Sequence, residues 1–427
     1  MTAGNRIFGK ARSGTVAALD VGSTKICCFI AHVGGAAPSG SSSGIRIAGI
    51  GHQVANGIRS GTVIDMDAAE ACIRRAVDDA EKMAGERVGK VFVNISGGYP
   101  ASHRVPVEVA VGGQAVDERD MRRLLGQWQR VDTGEDRQLI HSIPVGFSLD
   151  GDRGIRDPRG LVGGKLGTDM HVVTAASATM RNLTNAVRRC HLEIEGFVVS
   201  PFASGLASLV EDEMDLGVTV IDMGGGTTTL SVFFDGSSVF ADCVPVGGGH
   251  VTNDIARGLA TPVAEAERLK TLHGSALTSA LDDRDMIEVP LIGEENAGTR
   301  NQQPKSFLVR IIQPRLEETF ELVRTRLRES GYDKLAGQRV VITGGASQMP
   351  GIADMAQRIL EKQIRLGRPI RIHGLADTAP GPAFSTCAGL LAYAVDPGLD
   401  APRVGGAVAN EPAGMFGRVG SWFRENF

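Results

Sequence analysis

The sequence predicts an α/β protein made of two related halves, with a small α+β insertion in the first. Three observations predict this. Strand-like runs rich in β-branched residues alternate with helix-patterned segments along most of the chain. A strand–turn–strand unit occurs twice, as LDVGSTKICCFI (Leu19–Ile30) and IDMGGGTTTLSV (Ile221–Val232), about 200 residues apart. The stretch from Glu86 to about Gly167 has strands and a helix of its own and a loop-rich end. At 427 residues the chain is too long for one core.

Composition narrows the class. The chain is 42% apolar and 22% charged, as ordinary globular proteins are. A net charge of −4 gives no general attraction to nucleic acid. The six cysteines form no C-x-x-C and no Cys/His pattern with zinc spacing, so they read as scattered thiols of a reducing compartment. The start, MTAGNRIFGKARSG, lacks the apolar core of a signal peptide, and no run has the roughly 18 apolar residues of a spanning helix. A cytosolic protein is expected.

The elements follow in order. After a polar arm, TVAALDVGSTKICCFIAHV alternates and reads as two strands about a tight turn. GGAAPSGSSSG (Gly34–Gly44) has the composition of a disordered loop, and IRIAGIGHQVA is another strand. DMDAAEACIRRAVDDAEKMAG carries Asp65 and Asp67 near its start, helical periodicity, and Gly85 past its end, which predicts an amphipathic helix. In the insertion, KVFVNISG, RVPVEVAV and RQLIHSIPVGFSL read as strands, DERDMRRLLGQWQR as a helix, and DGDRGIRDPRGLVGGKLG as loop. MHVVTAAS resumes a strand, followed by helices in MRNLTNAVRRCHL and VSPFASGLASLVED. The second repeat unit precedes helices in HVTNDIARGLA, TPVAEAERLKTLHG and FLVRIIQPRLEETFELVRTRLRES. QRVVITGGASQMPGIADMAQRIL is strand, glycine turn and helix. FSTCAGLLAYAV is an apolar helix, and DPGLDAPRVGGAVANEPAG is a low-complexity linker.

The repeated unit suits an anion. Gly22 in the first turn and Gly224, Gly225 and Gly226 in the second let backbone N–H groups close on a phosphate. Ser23, Thr24, Thr227 and Thr228 add hydroxyls, and Lys25 adds a cation. Asp20 and Asp222 each end the first strand of a hairpin, where they could hold Mg²⁺ through water. Two such hairpins facing each other would clamp a polyphosphate. TGGAS (Thr343–Ser347) supplies a third turn, where Gly344, Gly345 and Ser347 could let a ribose or base lie against the backbone. One D-x-G turn alone is more often structural; the pair with the third turn makes the case. There is no G-x-x-x-x-G-K-[ST] and no G-x-G-x-x-G at a strand–helix joint.

Other features read as structural. His141 and His171 lie in strand patterns as hydrogen-bonded residues rather than ligands. The helix around RDMRRLLGQWQR reads as solvated with Trp128 inward, its basic charge diluted by Asp117, Glu118 and Asp120. Cys27 and Cys28 fall on opposite faces of one strand.

These motifs resemble the actin/Hsp70/sugar-kinase superfamily. LDVGSTK is similar to its first phosphate loop, VIDMGGGTT to its second, VITGGAS to its adenosine loop, and SPFASGLASL to a helix linking the halves. GGGHVTNDIA and AEAERLK resemble the part that touches ribose and base, which implicates Gly248, Glu267 and Lys270. The resemblance implies a two-lobed actin-like ATPase fold with ATP and Mg²⁺ in the cleft. Within the superfamily the chain resembles the FtsA family of bacterial cell-division actin homologues. RQLIHSIPVGFSLDGDRGIRDPRGLVG, EDEMDLGVTVIDMGGGTT, GHVTNDIARGLATPVAEAERLK, IIQPRLEETFELV and SWFRENF occur in the family's order.

That resemblance divides the chain. It implies a polar arm (1–14), subdomain 1A (15–85, 167–196 and 378–395), a 1C insertion (86–166), subdomain 2A (197–246 and 335–377), subdomain 2B (247–334), a linker (396–413) and an amphipathic membrane-targeting helix (414–427). It further implies a protein that polymerises with itself at the inner face of the cytoplasmic membrane, at the division septum. There it would bind the C-terminal tail of the tubulin homologue FtsZ and help recruit later division proteins. Lys305 and Arg315, aligned on QPR, fall near the family's surface for that tail; a solvated helix face is the plain alternative. Where actin has a glutamine that orients the attacking water, this chain has Gly196 beside Glu195, so at most weak hydrolysis is expected. A pilus-assembly-type actin-like adaptor and a small-molecule kinase of the superfamily are the rival readings.

The last residues, MFGRVGSWFRENF, are patterned. At about 100° per residue, Met415, Phe416, Val419, Trp422, Phe423 and Phe427 fall on one side of a helix, with Arg418, Ser421, Arg424 and Glu425 opposite. The segment is too short to span a bilayer and has arginines on its polar face. It reads as an interfacial helix for an anionic membrane surface. Docking on the protein's own core is the alternative, against which the long linker argues.

Overall fold

The computed structural model describes residues 13–34, 44–127, 134, 136–293, 301–370, 372 and 381–396. Most of the polar arm, the Gly/Ser loop 35–43, Trp128, the linker beyond 396 and the tail helix lie outside the described residues.

The first lobe starts with β1 (Gly14–Val21) and β2 (Lys25–Val33), paired antiparallel about the Gly22 turn, and β2 pairs with β3 (Ile45–Val54). A small hairpin follows, β4 (Ile58–Arg59) and β5 (Thr62–Val63). Its two turn residues, Ser60 and Gly61, have φ of 47° and 71°, the sign that two-residue hairpin turns need. Helix α1 (Met66–Ala84) is capped by the Asp65 carboxylate, which accepts from the amides of Asp67 and Ala68. It stops at left-handed Gly85 (φ 74°). Its buried stripe Ala69, Ile73, Ala76 and Ala80 lies on β3. A Cβ at Gly51 of β3 would meet the Ala80 amide nitrogen at 2.8 Å, so the glycine sets how closely the helix can settle.

Next along the chain, β6 (Lys90–Ile95) pairs parallel with β1, and later β11 (Glu193–Val199) pairs parallel with β6. Between them come β7 (Ala101–Ala115), α2 (Glu118–Gly126), β8 (Arg137–Leu149), β9 (Asp152–Ile155), β10 (Val162–Ala176) and α3 (Ser177–Arg189). The insertion's edges therefore differ from the expected 86–166. KVFVNI joins the lobe's own sheet, in the order β11-β6-β1-β2-β3. VGGKLG (Val162–Gly167), expected as loop, and MHVVTAA, expected in the parent lobe, are one strand, β10, inside the insertion's sheet β7-β10-β8-β9. The glycines misled because β10 absorbs them at a bulge between Gly163 and Lys165. Helix α2, capped by Asp117, seals this sheet with Met121, Leu124 and Leu125 against Leu166, Met170 and Val172.

The chain then runs through α4 (Ser200–Ser208), α5 (Glu211–Leu216), β12 (Val218–Met223), β13 (Thr228–Phe234) and β14 (Ser237–Val244). The single helix expected over VSPFASGLASLVED is two, broken at Leu209 and Val210. After α6 (Gly248–Gly258), α7 (Val263–His273), β15 (Met286–Glu288) and β16 (Gln302–Pro304) comes α8 (Lys305–Glu329). The order closes with β17 (Arg339–Thr343), α9 (Ile352–Leu360), β18 (Gln363–Leu366) and α10 (Ser385–Val395).

The second sheet, β14-β13-β12-β17-β18, repeats the first. In each, a three-stranded antiparallel meander is extended on its first strand by two parallel strands. The duplication read from two short motifs thus extends to whole sheets. Helix α4, buried throughout, and the almost wholly buried α10 lie in the core that joins them. They cross so tightly that a Cβ at Gly389 would fall into the Ala203 backbone.

Candidate functional site

The two hairpin turns are built alike. Gly22 N–H donates to the Lys25 carbonyl at 3.0 Å, and Gly224 N–H to the Thr227 carbonyl at 2.9 Å. Each turn follows the strand that ends in the buried aspartate, so Asp20 and Asp222 come to one cleft. Gly22, Ser23, Thr24 and Lys25 line it from the first lobe, and Gly224, Gly225, Gly226 and Thr227 from the second. A Cβ at Gly225 would collide with the Thr24 side chain, and one at Gly226 would stand 2.7 Å from Ser23 Cβ. The glycines here are needed for one loop to approach the other.

Both acids are shifted by their setting. Burial pushes the Asp20 carboxyl up to about 7, opposed by the Lys25 charge and assisted by Asp222. Burial also raises Asp222, but the Ser204 and Thr386 hydroxyls, from α4 and α10, both donate to its Oδ2 and restrain the rise. Lys25 Nζ donates to the Ala383 carbonyl at 2.5 Å and stands 3.5 Å over the Phe384 ring. Among the described residues no group of three or more His, Cys, Asp or Glu could hold a metal by itself. Two carboxylates beside hydroxyls and backbone amides suit a hydrated Mg²⁺ that also takes phosphate oxygens.

Gly344 and Gly345 line the same cleft. Gly344 has φ 90°, and a Cβ there would enter the Asp222 carboxylate and lie 2.5 Å from the Met223 carbonyl. Ser347 does not line the cleft; its hydroxyl donates to the Gly344 carbonyl at 2.7 Å and fastens the turn. Gly248, Glu267 and Lys270 sit beside the cleft as one cluster. Lys270 Nζ donates to the Gly248 carbonyl (3.1 Å), to Thr252 Oγ1 (2.8 Å) and to Glu267 Oε2 (2.7 Å). Gly248 N–H reaches back to the Gly224 carbonyl at 2.9 Å.

Thr228 departs from expectation. It is fully buried and does not line the cleft, whereas Thr227 and Thr229 do. Strand alternation decides this, because Thr229 lies opposite Asp222 in the ladder and shares its face. Asn94, Ser96, Ser200 and Thr386 also line the cleft and no motif flagged them. Asn94 Oδ1 accepts from the amide of Val21 at 2.7 Å, next to Asp20, while its Nδ2 donates to Ser200 Oγ at 3.1 Å. The available signal was hydroxyls inside apolar helices: Ser200, Ser204 and Ser208 recur at every fourth position of α4.

Lys305 and Arg315 lie apart from the cleft, on α8. Lys305 Nζ is 3.0 Å from the Asp282 carboxylate, and Arg315 holds Asp254 at 2.6 Å and also pairs with Glu318. Gly196 lies on β11, where a Cβ would be 3.0 Å from the Phe92 ring, so the backbone there leaves little room for a longer side chain. His141 accepts from the amide of Val199, and His171 bonds Ser102 and the Ser238 carbonyl. Both serve as buried strand residues. The six cysteines are free thiols.

Two sheets of one topology, joined by crossing helices and each offering an Asp-x-Gly turn to a shared cleft, define an actin-like ATPase fold. Solved structures agree on the fold. A PilM–PilN type IV pilus biogenesis complex superposes with TM-score 0.61 at 17% identity, covering 90% of this chain and 99% of that one. MreB5 of Spiroplasma citri bound to ADP gives TM-score 0.53 at 13% identity, covering 89% and 96%. The family is set by sequence. The model of cell division protein FtsA matches residues 219–389, and that of the SHS2 domain inserted in FtsA matches 97–174. The chain is 46% identical to cell division protein FtsA of Rhizobium meliloti (strain 1021) over 422 residues, 97% of this chain and 96% of that one. It is 32% identical to the Escherichia coli K12 protein over 420 residues, 96% and 98% of the two. The chain belongs to the FtsA family of cell-division proteins, and its role is that of an actin-like cell-division protein.

Proposed function

We propose that the cleft binds ATP with Mg²⁺, and that the ATP-bound protein polymerises on the inner face of the cytoplasmic membrane at the division site. There it ties FtsZ filaments to the membrane through the FtsZ C-terminal tail and helps recruit later division proteins. The pairing of Asp20 and Asp222 between two matched glycine turns carries the nucleotide reading. Near full-length likeness to division proteins supports the setting. The membrane contact is assigned to the tail residues Met415, Phe416, Val419, Trp422, Phe423 and Phe427, which a helical pattern puts on one side. Gly344 and Gly345, with the Gly248–Glu267–Lys270 cluster, would take the nucleoside. At most weak hydrolysis is expected from the family resemblance; Gly196 itself does not line the cleft, where Ser200 stands instead.

Calorimetry with ATP and Mg²⁺ tests the cleft. Gly225→Val forces a branched side chain into Thr24, an overpacking worth about 1–3 kcal/mol, so ATP affinity should fall about ten- to a hundred-fold. Unchanged affinity in the folded variant would refute the assignment.

The tail-peptide surface needs a gentler test, because Lys305 and Arg315 already hold carboxylates. Reversing their charge would set like charges against Asp282, which is almost fully buried, and Asp254. Glutamine at both positions removes the attraction without adding repulsion. Exposed pairs contribute about 0–1 kcal/mol each, so FtsZ-tail affinity should drop by up to about thirtyfold while ATP binding persists. Equal peptide affinity in the double variant would leave both residues as α8 surface alone.

A further inference from the structure

The insertion docks on both lobes at the outer strands of their sheets, and each docking uses a histidine. β11 is an edge of the first sheet and β14 an edge of the second. At β11, His141 Nε2 accepts from the Val199 amide at 3.0 Å. At β14, His171 and Ser102 act together. His171 Nδ1 is 2.8 Å from the Ser238 carbonyl oxygen, and its Nε2 is 2.8 Å from Ser102 Oγ. Ser102 Oγ is in turn 2.8 Å from both the amide nitrogen and the carbonyl oxygen of Ala241. One hydroxyl thus answers two backbone groups on the outer side of an edge strand, where no further strand pairs with them.

Counting protons distinguishes the states of the His171 ring. A carbonyl oxygen only accepts, so Nδ1 carries a proton toward Ser238. Ser102 has one proton and two acceptor sites. The Ala241 amide fills one acceptor site, and the other faces His171 Nε2. In a neutral ring Nε2 is bare. Nε2 and the Ala241 carbonyl then both call for the Ser102 proton, which can serve only one of them. With a proton on Nε2 the conflict ends: Nε2–H donates to Ser102 Oγ, Ser102 donates to the Ala241 carbonyl, and the Ala241 amide donates to Ser102 Oγ. His141 has the opposite need, because its Nε2 stays bare to accept from Val199.

The groups facing the ring are mixed in charge. Arg104 lies opposite His171 on β7, and Asp169, on the same face of β10, holds Arg104. β8 presents the apolar Ile143. From the second lobe come Asp242, next to Ala241 on β14, with Arg326 at 3.9 Å and Glu329 close by, and Tyr332, stacked on Phe240. Burial raises the Asp242 carboxyl, restrained by the Cys243 amide and Arg326. The two dockings also differ in kind. Ile140, Ile143, Val173 and Ala175 join the core that holds β1, β2 and β6. Toward the second lobe the insertion offers Ser102, His171 and the pairs of Arg156 with Asp215 and Asp235, while Val145 adds an apolar contact. Polar contacts exchange with water at little net cost, so this second joint is the one able to open.

We propose that the joint between the insertion and β14 is a proton-dependent latch: a proton taken from solvent onto His171 Nε2 fastens the insertion to the second lobe, and its release loosens it. Because the closed joint holds the proton more tightly than the open one, closure is fullest at low pH. It is lost as pH rises through the range where the closed ring titrates. The first-lobe docking gains nothing from a proton, so the insertion stays rooted there while its hold on the second lobe varies.

Amide hydrogen exchange of the full-length protein reads the latch. The β14 segment holding Ala241, after correction for the intrinsic pH dependence of exchange, should exchange about tenfold faster at pH 8 than at pH 6, the factor for one pH unit of tighter proton binding. His171→Gln has no titrating ring and should show no such change. Asp242→Asn should keep it, which separates the neighbouring carboxyl from the ring. Should His171→Gln not fold, Ser102→Ala removes the hydroxyl through which the ring acts and should abolish the change as well. Imidazole nitrogen NMR of the wild type should show both His171 nitrogens protonated at pH 6. Corrected exchange that does not vary with pH would overturn the proposal. So would a pH response that survives in His171→Gln or disappears in Asp242→Asn, or a neutral His171 ring at pH 6 with the β14 segment protected.

Discussion

Asp20→Asn should make the protein more heat-stable at pH 8 and weaken the Mg²⁺-dependent nucleotide binding proposed above. Burial lifts the Asp20 carboxyl from its ordinary 3.8 to about 7. In that interval the folded protein binds a proton that the unfolded chain has released. Stability therefore declines as pH rises from about 4 to about 7 and levels off above that. Each pKa unit is worth about 1.4 kcal/mol, so the full loss is about 4 kcal/mol. Asparagine has nearly the same shape and no charge, so it avoids this loss. Thermal melts of the two proteins without nucleotide should coincide near pH 4 and separate by several degrees at pH 8, the variant being higher. Coincident melts at pH 8 would show that Asp20 is not held protonated by the fold. On the proposed function a cation brought into the cleft with ATP would compensate the burial of this carboxylate.

Trp422→Glu with Phe423→Glu should release the protein from lipid vesicles and leave ATP and FtsZ-tail binding unchanged. Burying one large apolar side chain contributes roughly 1.5–3 kcal/mol, so six give on the order of 10 kcal/mol before costs. Ordering thirteen residues costs about 1 kcal/mol each or more, and a helix this short is marginal in water. Gly417 and Gly420 add to that cost. Hydrogen bonds formed in the interface would return part of it, so one tail would hold by a few kcal/mol. On the proposed function the binding would be weak singly and strong when a filament presents many tails, through effective concentration. A polymerisation-blocked variant with its tail intact should accordingly pellet poorly with vesicles at low protein concentration. Full pelleting of the double-Glu protein would exclude the tail as the anchor.

Much of this was legible in the sequence, for local reasons. The D-x-G turns announced themselves because glycine and a terminal aspartate break a β-branched run, and Asp65 and Gly85 punctuate α1 as caps do. The insertion's edges were illegible because they are settled by pairing. Nothing within KVFVNI tells whether it lies beside β1 or in a separate sheet. β10 hid its continuity behind glycines that a bulge accommodates. Of the candidate site, the backbone was readable and the supporting polar groups were not. Thr228 and Thr229 differ only in strand phase, and a single-residue slip in phase exchanges which of them reaches the cleft. Asn94, Ser204 and Thr386 are small polar residues in largely apolar segments, and their partners are 73, 18 and 164 positions away.

The seating of α10 bears on how the chain comes to be made. Cys387 of this helix contacts the carbonyls of Ala18 and Cys27, and its neighbours cover the face of the first sheet. The strands it covers leave the ribosome first, and the helix follows about 370 residues later, which at 5–20 residues per second is a wait of roughly 20–75 s. For that time Phe29, which stacks on Phe384 at the start of this helix, lacks part of its final cover. A nascent chain of this protein carries an unfinished apolar sheet through nearly its whole synthesis, and a ribosome that stalls before residue 385 releases a first lobe with an open side. Such a product is a natural client for chaperones and proteases, so the last helix serves the cell as a seal of completeness.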